Sequence, residues 1–227
     1  MIERRSVLLM VKYLPMTDTM IYSITFLRHG ESVGNLENRF QGHADFPLTE
    51  QGRFQAESLA RRWKTEGLTF DRVISRPLLR ARETAEIVCS ALNTPLEFDQ
   101  DWMEINNGML AGMTHEEGRE HIPEPDFFTP YTRWGVNGES RWEVYLRAGR
   151  NIQKLMDHPA RRTLVVAHGG ILNMVLYAIL GIPPQADFTG PRFMFHNTTF
   201  TTFTYDPAHH NWHMLHFDDR PHLKDEV

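Results

Sequence analysis

Cysteine is almost missing from this chain: Cys89 stands alone among 227 residues. That excludes an internal disulfide and fits a reducing compartment. Cys89 lies in the apolar run Ile87-Val88-Cys89, so it reads as a buried, inert thiol. Long apolar runs are missing as well, and no stretch approaches the ~20 residues of a membrane span. Arg4-Arg5 followed by Val7 to Val11 imitates a secretory leader, but Lys12 ends the run. A leader needs about 7–15 apolar residues and a small-residue cleavage site. Residues 1–20 therefore read as a loosely attached N-terminal extension for which disorder is an open reading. Met16 and Met20 are alternative starts, and the cytoplasm is the default compartment. Positive charge is also scarce, 24 Lys and Arg against 29 Asp and Glu for a net charge of −5. Nucleic acid wants a basic face, so it is an unfavoured partner. Any anion must be met by cations that are local and concentrated.

What is present suits one generous domain, since single domains run to roughly 250 residues. Hydrophobic residues make up 41 % of the chain and aromatics 11 %, enough for a real core. Short apolar runs alternate with helical patterns, which predicts an α/β fold, a three-layer αβα sandwich around a mostly parallel sheet. Tyr22 to Leu27 reads as the first strand. After a Thr49 N-cap, Ala56, Leu59, Ala60 and Trp63 share one helix face. Arg72 to Ser75 is a second strand, and Pro77 opens a helix with Ala81, Ala85, Val88 and Leu92 on its stripe. Trp142 to Leu155 is a third helix. Thr163 to Ala167 is apolar on both faces and hence central. The helix carrying Ile171, Val175, Ala178 and Ile179 ends at Gly181 and Pro183-Pro184. Thr199 to Tyr205 and Trp212 to Phe217 are closing strands. The stretch His121 to Gly138, rich in Pro, Phe, Tyr and Trp, breaks this rhythm. It reads as a lid within an insertion spanning about residues 105–140, against simple packing of a long connection.

In open α/β sheets ligands sit at the carboxyl ends of strands. Two runs end alike there: Arg28-His29-Gly30 after the first, and His168-Gly169-Gly170 after the strand at Val165. Each places an imidazole at the strand end and a glycine after it, where backbone amides can approach an anion. By contrast, the cluster from His209 to His216 reads as a polar hairpin, because His213 and His216 project to opposite faces of a strand.

The blocks Leu27-Arg28-His29-Gly30-Glu31-Ser32, Leu79-Arg80-Ala81-Arg82-Glu83-Thr84-Ala85, Met103-Glu104-Ile105 and Ala167-His168-Gly169-Gly170 resemble the signature of the histidine phosphatase superfamily, the phosphoglycerate mutase-like family. Asn35, Gln41-Gly42-His43-Ala44-Asp45, Leu48 to Gly52 and the ending around Asn197-Thr198, Asp218-Asp219 and His222-Leu223 extend the likeness over roughly residues 21–223. The resemblance implies a histidine phosphatase domain over 21–227. It implies metal-independent hydrolysis of a small phosphate ester through a phosphohistidine, with no cofactor and no metal site.

The chemistry matches the residue types. A phosphate monoester repels an anionic nucleophile, and a neutral His29 imidazole escapes that repulsion. Its other ring nitrogen is expected to donate to a backbone carbonyl. Arg28, Arg80 and His168 neutralise the equatorial oxygens, the guanidinium fork binding two oxygens at once. Asn35, Gln41 and the Gly169 amide add neutral donors. Glu104 is the candidate acid, because a bound phosphate beside it disfavours ionisation. Glu31 is expected to bind nearby loop amides, and Arg82 to be a solvated charge on another helix face.

Three readings compete: a phosphatase, a mutase that returns the phosphoryl group to a second hydroxyl, and an idle anion-binding module. The stretch Asn35 to Phe40 is mutase-like. The mutases resembled, however, carry a basic residue where this chain has Ile105. They also carry paired arginines and a proline run where it has Phe127, Phe128, Arg133 and Trp134. An aromatic lid suggests a bulkier or less charged alcohol, which favours the phosphatase. Leu110-Ala111-Gly112 departs from the Trp-Glu-Gly of many phosphatases and leaves the substrate open, as is a homodimeric assembly.

Overall fold

A computed structural model describes residues 20–123 and 125–223 of the chain. The extension expected over residues 1–20 lies outside that range except for Met20, which is exposed. Six strands form one sheet: β1 (Tyr22–Arg28), β2 (Arg72–Ser75), β3 (Leu96–Phe98), β4 (Arg162–Ala167), β5 (Phe200–Asp206) and β6 (Asn211–Asp219). Their order is β3-β2-β4-β1-β5-β6. The first four run parallel, while β5 and β6 close one edge antiparallel. The helices are α1 (Val33–Leu36), α2 (Glu50–Thr65), α3 (Leu79–Leu92), α4 (His115–His121), α5 (Arg141–Asp157) and α6 (Gly169–Leu180).

Alternation along the strands divides the core into two layers. Ile24, Phe26, Ile74, Val165 and Ala167 join Val144, Ala148 and Leu155 of α5 and Ile171, Leu172 and Val175 of α6. Leu27, Val73, Leu164 and Val166 face the other way, onto Leu59, Ala60 and Trp63 of α2 and Ala85 and Val88 of α3. The chain is thus the expected αβα sandwich, and β4 is buried along almost its whole length in the middle of the sheet. The Thr49 hydroxyl accepts from the Gly52 N–H and caps α2 as the sequence predicts. Gly181 ends α6 in the left-handed region, at φ 67°.

Three expectations shift. α3 starts at Leu79 rather than Pro77, because Leu78 stays extended and the Asp45 carboxylate caps the Leu79 N–H at 2.7 Å. The strand β3 and the helix α4 were not foreseen. β3 is three residues long and mostly exposed. α4 is specified by the Thr114 and Glu117 capping box rather than by an apolar stripe. In the insertion, Phe128, Trp134 and Phe188 stack on one another with centroids 5.2–5.7 Å apart, and Trp134 also reaches Phe40. Phe40, Phe128 and Trp134 line a cavity of about 180 Å³ with Leu110, Ile122 and Pro125. The Glu139 and Met109 N–H groups bond to the Asn106 and Gly135 carbonyls, which ties the insertion to the segment carrying Glu104.

Candidate active site

Parallel pairing of β1 with β4 sets Arg28 opposite Ala167, so the two histidines leave the sheet side by side. The His29 N–H donates to the Ala167 carbonyl at 3.0 Å, and the two rings lie 5.1 Å apart. Both side chains are buried. His29 Nδ1 donates to the Gly30 carbonyl at 2.7 Å, so the lone pair is on Nε2, as a nucleophile requires. Burial, and after it the charges of Arg80 and Arg28, hold the His29 pKa well below the usual value. The ring is neutral at working pH.

The loop after His29 is clamped by close backbone contact. A Cβ on Gly30 would fall 2.5 Å from the Gly52 carbonyl oxygen, and one on Gly52 would fall 1.9 Å from that of Glu31. Only glycine allows the start of α2 to rest there. The Gly30 N–H donates to Thr84 Oγ1 at 3.0 Å, and that hydroxyl donates to the Arg80 carbonyl at 2.7 Å. His29 and the arginine of α3 are therefore coupled through one side chain.

Arg80 is fixed by donating to the Ala44 and Gly42 carbonyls, each at 2.9 Å, and its Nε has no protein partner. Arg28 donates to the Phe195 carbonyl and likewise keeps an unpartnered Nε. A third guanidinium, Arg76, is buried just past the end of β2 with Nε and Nη1 unpartnered. Burial lowers Arg76 and Arg80 to about 10, which leaves both charged at neutral pH. Arg76 was missed by the sequence reading, although the strand-end rule applied to Arg72–Ser75 selects it.

Among the described residues His168 has no partner on either ring nitrogen. Burial first, then Arg80, His29, Arg76 and Arg28, push its pKa far down. Burial and the neighbouring cations thus disfavour its charged form. Both imidazoles titrate near 6.5 once unfolded, so below that pH the unfolded state binds more protons. Stability is then lost as pH falls through 6.5. Thermal melts from about pH 7.5 to about 5 are expected to show Tm falling on the acid side. A flat Tm would mean that the rings are not buried neutral.

Glu104 closes the opposite wall. His168, the N-cap residue of α6, makes no side-chain cap bond. Glu104 supplies the acceptor from a distant segment. Its Oε1 accepts from Ile105 N at 2.9 Å and Ile171 N at 3.0 Å, while Oε2 accepts from Gly170 N alone at 3.0 Å. The segment is held by Arg147, which donates to the Asp101 and Met103 carbonyls and pairs with Glu139 at 2.7 Å. Arg147 and Glu139 are further residues that the sequence reading missed, because their partners are backbone atoms remote in sequence.

Asn35 and Gln41, the expected neutral donors, are tied to the loop by their amide oxygens. Ser32 Oγ lies 2.7 Å from Gln41 Oε1 and 3.0 Å from Asn35 Oδ1, and Asn197 Nδ2 donates to the same Asn35 oxygen. Both amide oxygens face the loop, which leaves each NH2 for a ligand. Gly169 opens α6 against Arg28, with no carbonyl a turn behind its N–H inside the helix.

The decoys resolve simply. Glu31 accepts from the Thr49 hydroxyl at 2.7 Å rather than from loop amides, a partner supplied by the N-cap of α2. Arg82 pairs with Glu86 at the surface. Cys89 is buried, its thiol raised to about 11. His213 and His216 lie on the β5–β6 hairpin. Among the described residues no group of three or more His, Cys, Asp or Glu is placed to hold a metal ion, and no helix is long and apolar enough to cross a membrane. A larger cavity of about 880 Å³ opens behind Arg28, lined by His196, Phe217 and Arg220 among others, and does not include His29, Arg80 or His168.

So much unpaired positive charge around a neutral imidazole, at the carboxyl edge of an open α/β sheet, is built for a tetrahedral oxyanion and marks an enzyme of phosphoryl chemistry. The chain belongs to the histidine phosphatase superfamily (branch 1), whose family model matches residues 24–219. A probable phosphoglycerate mutase, GpmB, of Escherichia coli O1:K1 is 34 % identical over 170 residues, covering 72 % of this chain and 77 % of that protein. Among solved structures, Bacillus stearothermophilus YhfR is similar at TM-score 0.76 and 28 % identity, over 89 % of this chain and 100 % of the other. A phosphoserine phosphatase from Entamoeba histolytica, solved with 3-phosphoglyceric acid, shares the fold at TM-score 0.73 and 24 % identity, over 89 % and 99 % of the two chains.

Proposed function

We propose that this enzyme hydrolyses small phosphate monoesters through a phosphohistidine on His29, in the cytoplasm, with the domain over 21–227 and the insertion over about 105–140 covering the pocket rim. The observation that carries the proposal is the fixed tautomer of His29, with Nδ1 on the Gly30 carbonyl and Nε2 free beside His168. Nε2 attacks phosphorus, an N–P bond forms and the ester P–O bond breaks. Arg28, Arg80, His168, the Asn35 and Gln41 amides and the Gly169 N–H take the equatorial oxygens. Preorganised donors of this kind are worth roughly 3–4 kcal/mol each.

The leaving oxygen takes its proton from Glu104. Oε1 already accepts two N–H bonds and Oε2 only one, so Oε2 is the oxygen with a lone pair left for the proton. In the second half-reaction the same oxygen removes a proton from water, whose oxygen attacks phosphorus while the N–P electrons return to His29.

The mutase reading is kept because of the 34 % identical relative. Ile105 and the stacked aromatics Phe128 and Trp134 favour hydrolysis. A panel of phosphate esters, scored for free phosphate and for interchange of 2- and 3-phosphoglycerate, separates the two. Release of phosphate without interchange is expected; interchange without release would establish the mutase.

A further inference from the structure

Residues 103–107, which carry Glu104, belong to neither helix nor strand, so no regular ladder of hydrogen bonds fixes their main chain. An ion pair does so instead. Arg147 on α5 donates to the Asp101 and Met103 carbonyls at 3.0 and 2.6 Å, and to the Glu104 carbonyl at 3.4 Å. Its Nε and Nη2 meet Glu139 Oε1 and Oε2 at 3.1 and 2.7 Å, fork to fork. Glu139 in turn accepts from the Asn106 N–H at 2.9 Å. The pair thus holds the chain on both sides of Glu104. One turn along α5, Asn151 donates to the Asp101 carbonyl at 2.7 Å. The two charged side chains are only 11 % and 24 % exposed. Desolvation offsets much of the attraction in such a pair, so stability alone is a weak reason for it.

The insertion delivers Glu139 to this place. The Glu139 N–H donates to the Asn106 carbonyl at 2.8 Å, and the Trp134 N–H to the Glu139 carbonyl at 3.2 Å. A Cβ on Gly138 would collide with the Asn106 carbonyl oxygen, and one on Gly135 with that of Asn107. Glycine at both positions lets the two segments touch backbone to backbone. The end of the insertion is therefore locked onto the segment that carries the acid. Helix α5, which supplies Arg147, and α6, whose first amides bind the Glu104 carboxylate, share one core layer. Glu104 is mounted at two points, its main chain on α5 and its carboxylate on α6.

We propose that Arg147 and Glu139 are positioning residues for proton transfer, their pairing setting where Glu104 Oε2 stands relative to the leaving oxygen. This rests on the hydrolase reading above, with Glu104 as its acid, and both residues act through Glu104 rather than on the ester. A general acid works within hydrogen-bond reach, about 3 Å, of the oxygen it protonates. A displacement of about 1 Å can cost on the order of 100-fold. The loss is selective, because an alkoxide needs the proton in order to leave, whereas a phenolate is a weak base and leaves almost unaided.

The test is a series of phosphate esters graded by the pKa of the departing alcohol, from p-nitrophenyl phosphate to alkyl phosphates. Arg147→Met is expected to lower kcat for the poorest leaving group by about 10- to 100-fold. For p-nitrophenyl phosphate the change should stay within about threefold, so the dependence on leaving-group pKa becomes steeper. Arg147→Lys keeps the charge, but one ammonium cannot span three carbonyls and the Glu139 fork. It should give an intermediate slope, and it serves if the Met variant does not fold. Added to Glu104→Gln, either substitution should slow the series by no more than about threefold further, because the group it positions is already gone.

A merely structural role would slow every ester alike and multiply with the loss in Glu104→Gln. Either result, or an unchanged slope, overturns the proposal. A uniform drop along the series for Glu104→Gln itself removes the acid, and a wild type that releases no phosphate from any ester removes the hydrolase. In both cases the proposal falls with the reading beneath it, and the wild type and Glu104→Gln alone show which reading failed.

Discussion

His29→Ala is expected to lower phosphate release from an aryl phosphate by at least ~10³-fold, because it removes Nε2, whose lone pair is fixed by the Nδ1 bond to the Gly30 carbonyl and is the attacking pair of the proposed mechanism. Among the described residues the His29 side chain bonds to the neighbouring Gly30 carbonyl alone, and the clamp around it uses backbone atoms and Thr84. The variant should therefore still fold, and binding of orthovanadate or phosphate to Arg28 and Arg80 should persist. Circular dichroism and ligand-dependent melting separate loss of chemistry from loss of structure. Release that survives in a folded variant would place the nucleophile elsewhere.

Glu104→Gln is expected to slow esters of poor leaving groups by about 10²- to 10⁴-fold while leaving aryl phosphates far less affected. The reason is the unequal load on the two carboxylate oxygens. Glutamine can keep the oxygen that accepts from Ile105 and Ile171, and places an NH2 against the Gly170 N–H where Oε2 stood. That donor facing a donor costs about 1–2 kcal/mol of stability, a modest effect on melting beside the expected kinetic one. A series of esters graded by the pKa of the departing alcohol reads the difference directly. A uniform drop along the series would remove Glu104 from the acid role and leave it as the cap of α6.

Much of this was legible in the sequence where local pattern and tertiary need coincide. The β-branched and aromatic run of β1 and the doubly apolar run of β4 mark buried parallel strands, and their ends carry His29 and His168. Thr49, Gly181 and the stripe from Ala56 to Trp63 mark helices by capping and periodicity. What could not be read depended on distant backbone. The acceptor capping α6 comes from Glu104, sixty-six positions earlier than Gly170. The clasp of Arg147 on Asp101, Met103 and Glu139 has no local signature. The depressed pKa of His168 comes from burial and the surrounding guanidiniums, which its residue type does not announce. Arg76 stands where the strand-end rule points, yet it lies outside the family-like block that begins at Leu79.

The most direct test of the phosphohistidine is to trap it. The enzyme is mixed with an excess of aryl phosphate, quenched in base within the first turnover, digested, and its peptides are weighed by mass spectrometry. One phosphoryl group on the peptide containing His29, stable in base, lost in acid and missing from His29→Ala, is the predicted result. A phosphoryl group on any other residue, or phosphate released by water in a burst that never labels the protein, would contradict it.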